Sequence, residues 1–395
     1  MFPWESALTG EETCPSWAAT GLREIHINGD IAMAVWSMWR SLGGDNGGLF
    51  LNNTAWPLLS GIADFWMSKL ALDNPGAPPG APLSLLNVIP PDEYVDHVAD
   101  SAFTNHGAII SLRYAAAVAQ LMGEPPARYG PWADAAARIV RPFNASGPAG
   151  GWTPEYNGYR EGSKIKQADV ILLGFPLEAE WVPPAVRVNN LHLYANVTDP
   201  GGPAMTWGMF AVGYLELGPQ YADAAATNFN RSFANAQPPF LVWTETPDGG
   251  TPNFLTGAGG FLQTALNGYP GLRVNDTALA LQPQLPQGAT ALKLRGVAYL
   301  GQRLDVSYDG ASVTVALQGG ALGATAGGRR GACAACMRPA GEPVAWRSQE
   351  GRVLVGEREV ARRPLAVVDA RGVAHPLAVG APVTLPLQAI AIVGS

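Results

Sequence analysis

The hydrophobic periodicity of this chain changes near residue 270, and that change limits the folds open to it. Before residue 270, apolar residues recur at the three-to-four-residue spacing of amphipathic helices, in segments separated by loops rich in Gly, Pro and Asn. After about residue 275, apolar and polar residues alternate, with turn signals such as GQ and DG between the runs. The pattern predicts a mainly α domain over residues 1–272 and a small antiparallel β-domain over residues 273–395.

Six segments of the first part carry the helical spacing, and each is followed by a long loop. They cover residues 29–42, 55–72, 104–123, 129–143, 205–218 and 220–236. An array of helical hairpins often carries its function on the loops at one end. In the second part, residues 319–344 are rich in Gly and Ala, and we interpret them as a flexible insertion in the β-domain.

Composition excludes several classes of protein. Hydrophobic residues make up 47% of the 395 residues and charged residues only 14%, which suits a sizeable core and neither a coiled coil nor a disordered tail. The formal net charge of −7 argues against a nucleic-acid partner, which would need a basic face. No apolar run reaches the roughly 18–20 residues that span a bilayer, so we expect no membrane segment.

The cysteines, histidines and glycines predict no metal site or cofactor. Cys333 and Cys336 form a CxxC pair, but no second pair or paired histidine accompanies it, so we interpret the pair as incidental. His26 and His106 are interpreted as structural rather than metal-binding. The glycine-rich GAGG (257–260) lacks the context of a phosphate loop and is interpreted as a tight loop ahead of a helix.

Acidic residues are scarce in the helical part, and five of them lie in short motifs that contain Trp or Tyr. They are Glu5 in PWES, Asp92 and Glu93 in PPDEY, Glu155 in WTPEY and Glu245 in VWTE. An aromatic ring packs on the C–H groups of a sugar, while a carboxylate binds its hydroxyls or performs chemistry. Any one motif is equally well a polar loop, but five such carboxylates on the loops of one helical array favour a carbohydrate site.

Glycoside hydrolysis needs one protonated carboxyl group to release the leaving oxygen and one ionised carboxylate to activate water or attack the sugar. Glu93 is the candidate acid, because Asp92 and the apolar Pro90–Pro91 beside it favour the protonated form. Glu245 is the candidate base, with Trp243 next to it as a sugar contact. Lys166 and Gln167 add a cation and an amide that donate to hydroxyl oxygens. Inversion would require a carboxyl separation of roughly 6.5–9.5 Å.

Long stretches of the chain resemble glycoside hydrolase family 65, and in particular its acid-trehalase-like hydrolases. The resemblance covers about residues 1–270. The stretches that carry it are FPWESALTGEETCP (2–15), PPDEY (90–94) with FTN (103–105), KQADVILLGFP (166–176), GPAMTWGMFAVGYLEL (202–217) and RSFANAQPPFLVWTETPDGGTPNFLTGAGGFLQ (231–263).

The resemblance implies an (α/α)6 toroid barrel followed by a C-terminal β-sandwich, and an inverting reaction on a terminal α-glucosidic bond. It implies that Glu93 is the proton donor and Glu245 the general base. It further implies contacts to the sugar from Lys166, Gln167, Trp4 and, through the same stretch as Trp4, Glu5. Family members carry an N-terminal β-sandwich and first barrel helices with a Trp-Asp motif, and this chain starts after that motif. We therefore expect a barrel that lacks its first helices.

Three functional hypotheses stay open. The first is an inverting α-glucosidase acting on glucosylgalactosyl-hydroxylysine or on a disaccharide such as trehalose or kojibiose. The second is a phosphorylase of the same family, which Glu245 disfavours because phosphorylase members lack the base. The third is a non-catalytic or vestigial sugar-binding fragment. We expect a carbohydrate or glycosylated-peptide partner and no cofactor. The oligomeric state and compartment stay undetermined, with the cytoplasm favoured because no signal peptide is seen.

Overall fold

The computed structural model describes residues 1–6, 8–72, 78–318, 346–347, 353–354, 365–388 and 390–394. Within these ranges, helices predominate as far as Gly268 and antiparallel strands follow. The predicted insertion at 319–344 lies outside the described residues, as do Cys333 and Cys336. Among the residues described, we find no helix with the length and apolar character needed to cross a bilayer.

The described helices are α1 (Thr20–Arg23), α2 (Ile27–Ser41), α3 (Gly44–Phe50), α4 (Trp56–Lys69), α5 (Ala102–Leu121), α6 (Pro126–Arg138), α7 (Pro184–Val197), α8 (Met205–Glu216), α9 (Ala222–Ser232) and α10 (Leu255–Gln263). Short 3₁₀ turns cover Val170–Leu173 and Pro219–Tyr221, and π-helical turns cover Leu51–Ala55 and Thr264–Gly268. Each of the six segments predicted as helical contains a helix whose ends differ from the prediction by a few residues.

The described strands in the helical part are β1 (Leu70–Leu72), β2 (Leu83–Leu85), β3 (Ala236–Gln237), β4 (Val242–Thr246) and β5 (Gly249–Pro252). Those that follow are β6 (Arg273–Val274), β7 (Ala278–Leu281), β8 (Ala291–Tyr299), β9 (Gln302–Asp309), β10 (Ser312–Leu317), β11 (Trp346–Arg347), β12 (Val353–Leu354), β13 (Leu365–Val368), β14 (Ala374–Pro376), β15 (Val383–Pro386) and β16 (Ile390–Gly394).

Helices α5 and α8 are the central elements of the helical part. Helix α5 starts where the Ser101 hydroxyl accepts the N–H of Thr104 at 3.2 Å, and most of its side chains are buried. Helix α8 is buried continuously from Thr206 to Leu215. Helices that are apolar on all sides belong inside a protein. Accordingly, α2, α4 and α6 pack around α5, while α7, α9 and α10 pack around α8.

The interpretation of GAGG (257–260) as a loop is wrong, because these residues lie inside α10. The glycines serve close packing instead. A Cβ atom on Gly208 of α8 would lie 2.7 Å from the carbonyl oxygen of Gly260, and a Cβ atom on Gly260 would lie 3.1 Å from that of Met205. Side chains at these positions would therefore push the two helices apart.

The strands from Arg273 onward form two main antiparallel sheets around one core. Their orders are β15–β10–β9–β8 and β14–β13–β16–β7–β6. Buried residues of both sheets meet in a single cluster, with Val306 and Val313 from the first sheet and Leu279, Val367 and Ile392 from the second. Alternate residues of each strand point to the same face, which explains the period of two in the sequence. The C-terminal part is thus antiparallel and helix-free within the described residues.

The two parts contact each other through α2, α8 and the loops next to them. The N–H of Leu300 donates to the carbonyl of Ser41 at 2.8 Å, and Arg40 forms an ion pair with Asp276 at 3.1 Å. On α8, Glu216 pairs with Arg273 at 2.7 Å. These contacts attach the sheets directly to the helices.

Candidate active site

Glu93 lies on the loop that connects β2 to α5. The loop is fixed on both sides of the two prolines: the N–H of Ile89 donates to the carbonyl of Arg23 at 3.1 Å, and the Gln167 amide donates to the carbonyl of Pro91 at 2.6 Å. The Glu93 side chain itself is partly exposed. A carboxyl group on a fixed backbone that still reaches solvent suits contact with a ligand.

Lys166 brings Glu93 and Glu245 together. Its Nζ atom lies 2.5 Å from Glu93 Oε2 and 3.9 Å from Glu245 Oε1. Those two oxygens are therefore no more than about 6.4 Å apart, the sum of the two distances through the shared ammonium. All three side chains are partly exposed, so both carboxyl groups reach solvent beside the same ammonium.

Glu245 lies on β4, not on a loop as the sequence suggested. Strand β4 pairs with β3 and β5, and the Glu245 carbonyl accepts the N–H of Ala204 at 2.9 Å and the Asn235 amide at 3.0 Å. Gly250 on β5 leaves room for the carboxylate, since a Cβ atom there would lie 3.0 Å from Glu245 Cβ and 3.2 Å from Oε2. Gly250 also has φ +85°, which disfavours any side chain.

The other predicted sugar contacts differ in burial. Gln167 is buried, and its Oε1 atom accepts no hydrogen bond from the described residues. Trp4 is exposed and meets His26 edge-on, with ring centroids 5.8 Å apart. Glu5 is exposed, and its N–H donates to the Glu12 carboxylate at 3.1 Å.

Trp243 packs against protein. Its ring lies 5.5 Å from that of Phe261, and its Nε1 donates to the carbonyl of Ser232 at 3.4 Å. The residue is nevertheless partly exposed, and it lies two residues before Glu245 on the same strand. The indole therefore supports the strand that carries the carboxylate.

Sequence reasoning missed Glu24, a buried carboxyl group close to Glu93 and Lys166. Burial, followed by the negative charge of Glu93, raises the pKa of Glu24 to about 9, against the opposing effect of Lys166. Neither Glu24 oxygen receives a hydrogen bond from the described residues, and His26 Nε2 lies 4.0 Å from Oε2. Glu24 is therefore neutral near pH 7. Its sequence neighbours give no aromatic or acidic signal that could have found it.

A second feature missed by sequence reasoning is Asp169, which lies behind the site together with Asp92 and Glu155. Asp92 is 1% exposed, and Glu155 and Asp169 are fully buried. Asp92 accepts the backbone N–H of Lys166 at 2.6 Å. Three buried carboxyl groups thus lie directly behind the lysine that joins the two candidate catalytic residues.

Two of the four histidines of the helical part, His26 and His106, are neutral. Burial lowers the pKa of both His26 and His106 to about 4, and His106 Nδ1 accepts the Trp181 indole N–H at 3.0 Å. The described ranges contain no group of three His, Cys, Asp or Glu side chains that could hold a metal ion.

Comparison with known proteins identifies the family. Residues 1–145 match the glycosyl hydrolase family 65 central catalytic domain, and residues 272–328 match the C-terminal domain of that family. The chain belongs to glycoside hydrolase family 65. The resemblance deduced from the sequence motifs is thereby confirmed. Within this family 65 chain, Glu24 and Glu93 lie inside the first matched range, whereas Lys166 and Glu245 lie between the two ranges.

Two curated relatives and one solved structure show how far the similarity of this family 65 chain extends. It is 44% identical over 320 residues to protein-glucosylgalactosylhydroxylysine glucosidase of Danio rerio, covering 80% of this chain and 46% of the relative. It is 32% identical over 300 residues to kojibiose hydrolase of Flavobacterium johnsoniae, covering 75% of this chain and 42% of the relative.

The solved structure is a putative kojibiose phosphorylase from human microbiome, with a TM-score of 0.63 and 16% identity over 80% of this chain and 49% of the other. At that identity the likeness concerns the fold alone. The family 65 chain spans about half the length of the proteins it matches.

Proposed function

We propose that this chain carries a glycosidase site that hydrolyses a terminal α-glucosidic bond with inversion, with Glu93 as general acid and Glu245 as general base. One observation supports this most directly: both carboxyl groups approach the same Lys166 ammonium, although they lie on a loop and a strand more than a hundred residues apart. Membership of family 65 supports the reaction class.

In this mechanism Glu93 gives its proton to the glycosidic oxygen as the bond to the anomeric carbon breaks. Glu245 takes a proton from the water that attacks the opposite face of that carbon, and solvent returns the two residues to their starting states. Inverting enzymes leave room for this water with a carboxyl separation of roughly 6.5–9.5 Å. The two oxygens beside Lys166 are at most about 6.4 Å apart, which is below that range, so we expect the Lys166 ammonium to move when sugar and water enter.

Lys166 and Gln167 are proposed to bind the terminal glucose. The ammonium donates three hydrogen bonds, and Gln167 Oε1 is an acceptor with no donor among the described residues. Trp4 and Glu5 belong to the exposed rim of the same site, and Trp243 to the wall beside Glu245. The substrate is a carbohydrate or a glycosylated peptide. The names of the two curated relatives support glucosylgalactosyl-hydroxylysine and kojibiose as substrates to test, and the acid-trehalase-like sequence resemblance supports trehalose.

The fold behind this site is proposed to be an (α/α)6 barrel over residues 1–272, incomplete at its first helices, followed by a β-sandwich domain over residues 273–395. The central positions of α5 and α8, each followed by a helix packed on its outside, support the barrel. The single core shared by two antiparallel sheets supports the sandwich.

The deciding test is glucose release from kojibiose, trehalose and glucosylgalactosyl-hydroxylysine, with and without inorganic phosphate. We expect release of glucose that does not depend on phosphate. Release of glucose 1-phosphate that requires phosphate would instead identify a phosphorylase. Binding of glucose by the folded chain without turnover of any of the three would show a non-catalytic sugar-binding protein and contradict the proposal.

A further inference from the structure

Asp92, Glu155 and Asp169 form one buried carboxyl cluster, and their oxygens are short of donors. Glu155 lies within hydrogen-bonding reach of both aspartates. Asp169 Oδ2 accepts the N–H of Asp92 at 3.2 Å. Apart from contacts within the cluster, Asp92 Oδ2, Asp169 Oδ1 and both Glu155 oxygens receive no hydrogen bond from the described residues. Buried carboxylates this close, with no other donor, would repel each other if all were ionised, so the contacts within the cluster require shared protons.

The surroundings of the cluster keep those protons in place. Burial raises the pKa of Glu155 and of Asp169 well above the usual range, and it raises that of Asp92 as well. The one cation that acts on the cluster among the described residues is Lys166, which favours the ionised form of Asp92.

The other titratable groups around the cluster are phenols. Tyr156, Tyr159 and Tyr194 lie near Glu155, and burial raises the pKa of each, so they are neutral. A charge distribution with the negative charge on Asp92 and protons on its two partners satisfies all these contacts.

Asp92 connects the cluster to the site. Its Oδ1 atom accepts the N–H of Lys166 at 2.6 Å and the N–H of Tyr94 at 3.2 Å. Tyr94 directly follows Glu93, so a single carboxylate oxygen holds the chain on one side of the candidate acid and the backbone of its lysine partner. The distance between Glu93 and Lys166 therefore depends on where Asp92 is held, and Asp92 is held by Glu155 and Asp169.

We propose that Asp92, Glu155 and Asp169 form a proton-sharing clamp that keeps Glu93 and Lys166 in register, so that the three act as positioning residues of the site. The proton sharing is independent of the proposed function. The expected effect on turnover, by contrast, rests on the proposed function. A charged cluster would separate by repulsion, whereas a protonated cluster holds three chain segments together: the loop before α5, the segment around residue 155 and the segment before Val170.

The test compares Glu155→Gln with Glu155→Leu, and uses Glu161→Gln as the control because Glu161 is an exposed acid close by in the chain. The Gln amide replaces the shared proton with a permanent N–H, whereas Leu has a similar volume and no hydrogen bond. We expect Glu155→Gln to keep kcat within about tenfold of the parent. We expect Glu155→Leu to lose about a hundredfold in kcat, the effect of a misplacement of about 1 Å. The control should match the parent.

Two further measurements do not depend on turnover. A carboxyl pKa that is raised by folding adds stability at low pH that is lost as the pH rises, so the parent should lose stability above about pH 4.5. In Glu155→Gln the slope of the unfolding free energy against pH should be smaller, by the contribution of about one bound proton. At one fixed pH, the amides of Lys166 and Tyr94 should exchange with solvent about tenfold or more faster in Glu155→Leu than in the parent.

Equal pH slopes in the parent and Glu155→Gln would overturn the shared proton. Unchanged amide exchange together with unchanged kcat and KM in Glu155→Leu would overturn the positioning role. A parent that releases no glucose would contradict the proposed function, while the slopes and the exchange rates would still decide whether the clamp exists.

Discussion

Glu93 and Glu245 lie beside the same lysine, but the residues that support the two carboxyl groups differ in burial. Behind Glu93 the supporting side chains are buried, with Asp92 1% exposed and Gln167 7% exposed. Behind Glu245 the support is a three-stranded sheet in which every residue of β4 is partly exposed. The turn before that strand carries Phe240, which is 85% exposed.

This difference indicates where position and protonation are controlled. On the acid side, burial excludes water, so hydrogen bonds and shared protons determine the geometry. On the base side, backbone pairing and a glycine determine it, and water reaches the carboxylate. We therefore expect changes on the acid side to affect protonation as well as placement, and changes on the base side to affect placement alone.

The largest effect is expected from Glu93→Gln, which removes the proton donor without changing shape. The change should lower kcat by about 10²–10⁴-fold, the usual contribution of a general acid, and leave glucose binding intact.

Glu245→Gln should also abolish hydrolysis, but azide should restore part of its turnover, because a small anion needs no base. Initial-rate kinetics with and without azide check both. Full turnover by Glu93→Gln would remove Glu93 from the acid role, and a Glu245→Gln variant as fast as the parent would contradict the base assignment.

A smaller effect on the base side is expected from Gly250→Ala, with Gly249→Ala as its matched control. Both glycines have positive φ, at +85° and +131°, so either alanine should cost about 1 kcal/mol of unfolding free energy. A Cβ atom on Gly249 meets nothing within 4 Å, whereas one on Gly250 meets Glu245.

Only Gly250→Ala should therefore lower kcat, by about tenfold through displacement of the base. Chemical denaturation and kinetics on the two variants separate strain from displacement. Equal kcat in the two variants would show that the contact with Glu245 does not matter.

The smallest effect on turnover at neutral pH is expected from Glu24→Gln on the acid side, whereas its effect on stability depends on pH. The pKa of Glu24, raised to about 9, means that the folded protein holds a proton that the unfolded chain releases near pH 4.5. The parent therefore loses stability as the pH rises from about 4.5 to 9, and the Gln variant does not share that loss. The difference in unfolding free energy should grow by on the order of 1 kcal/mol per pH unit between pH 5 and 8. Parallel pH profiles would show that Glu24 is ionised in the folded protein.

Much of the fold was predictable from hydrophobic spacing, because burial of one face leaves a periodic trace in each segment. The six helical segments and the change to strands near residue 270 follow from that trace. GAGG (257–260) was misinterpreted because glycine signals both a turn and a close helix crossing, and only the packing of α8 on α10 distinguishes them.

For the site, the sequence determined which residue types were available: two separated glutamates with aromatic neighbours and a Lys-Gln pair. Its motifs also identified the family, because long motifs that occur in a fixed order can be recognised without knowing any distance between residues. Only the tertiary structure brought Glu93 and Glu245 to the same Lys166 ammonium, and only it showed Glu24 and Asp169 to be buried nearby. Proximity and burial arise from contacts between segments far apart in the chain, and the protonation of a buried carboxyl group follows from that burial.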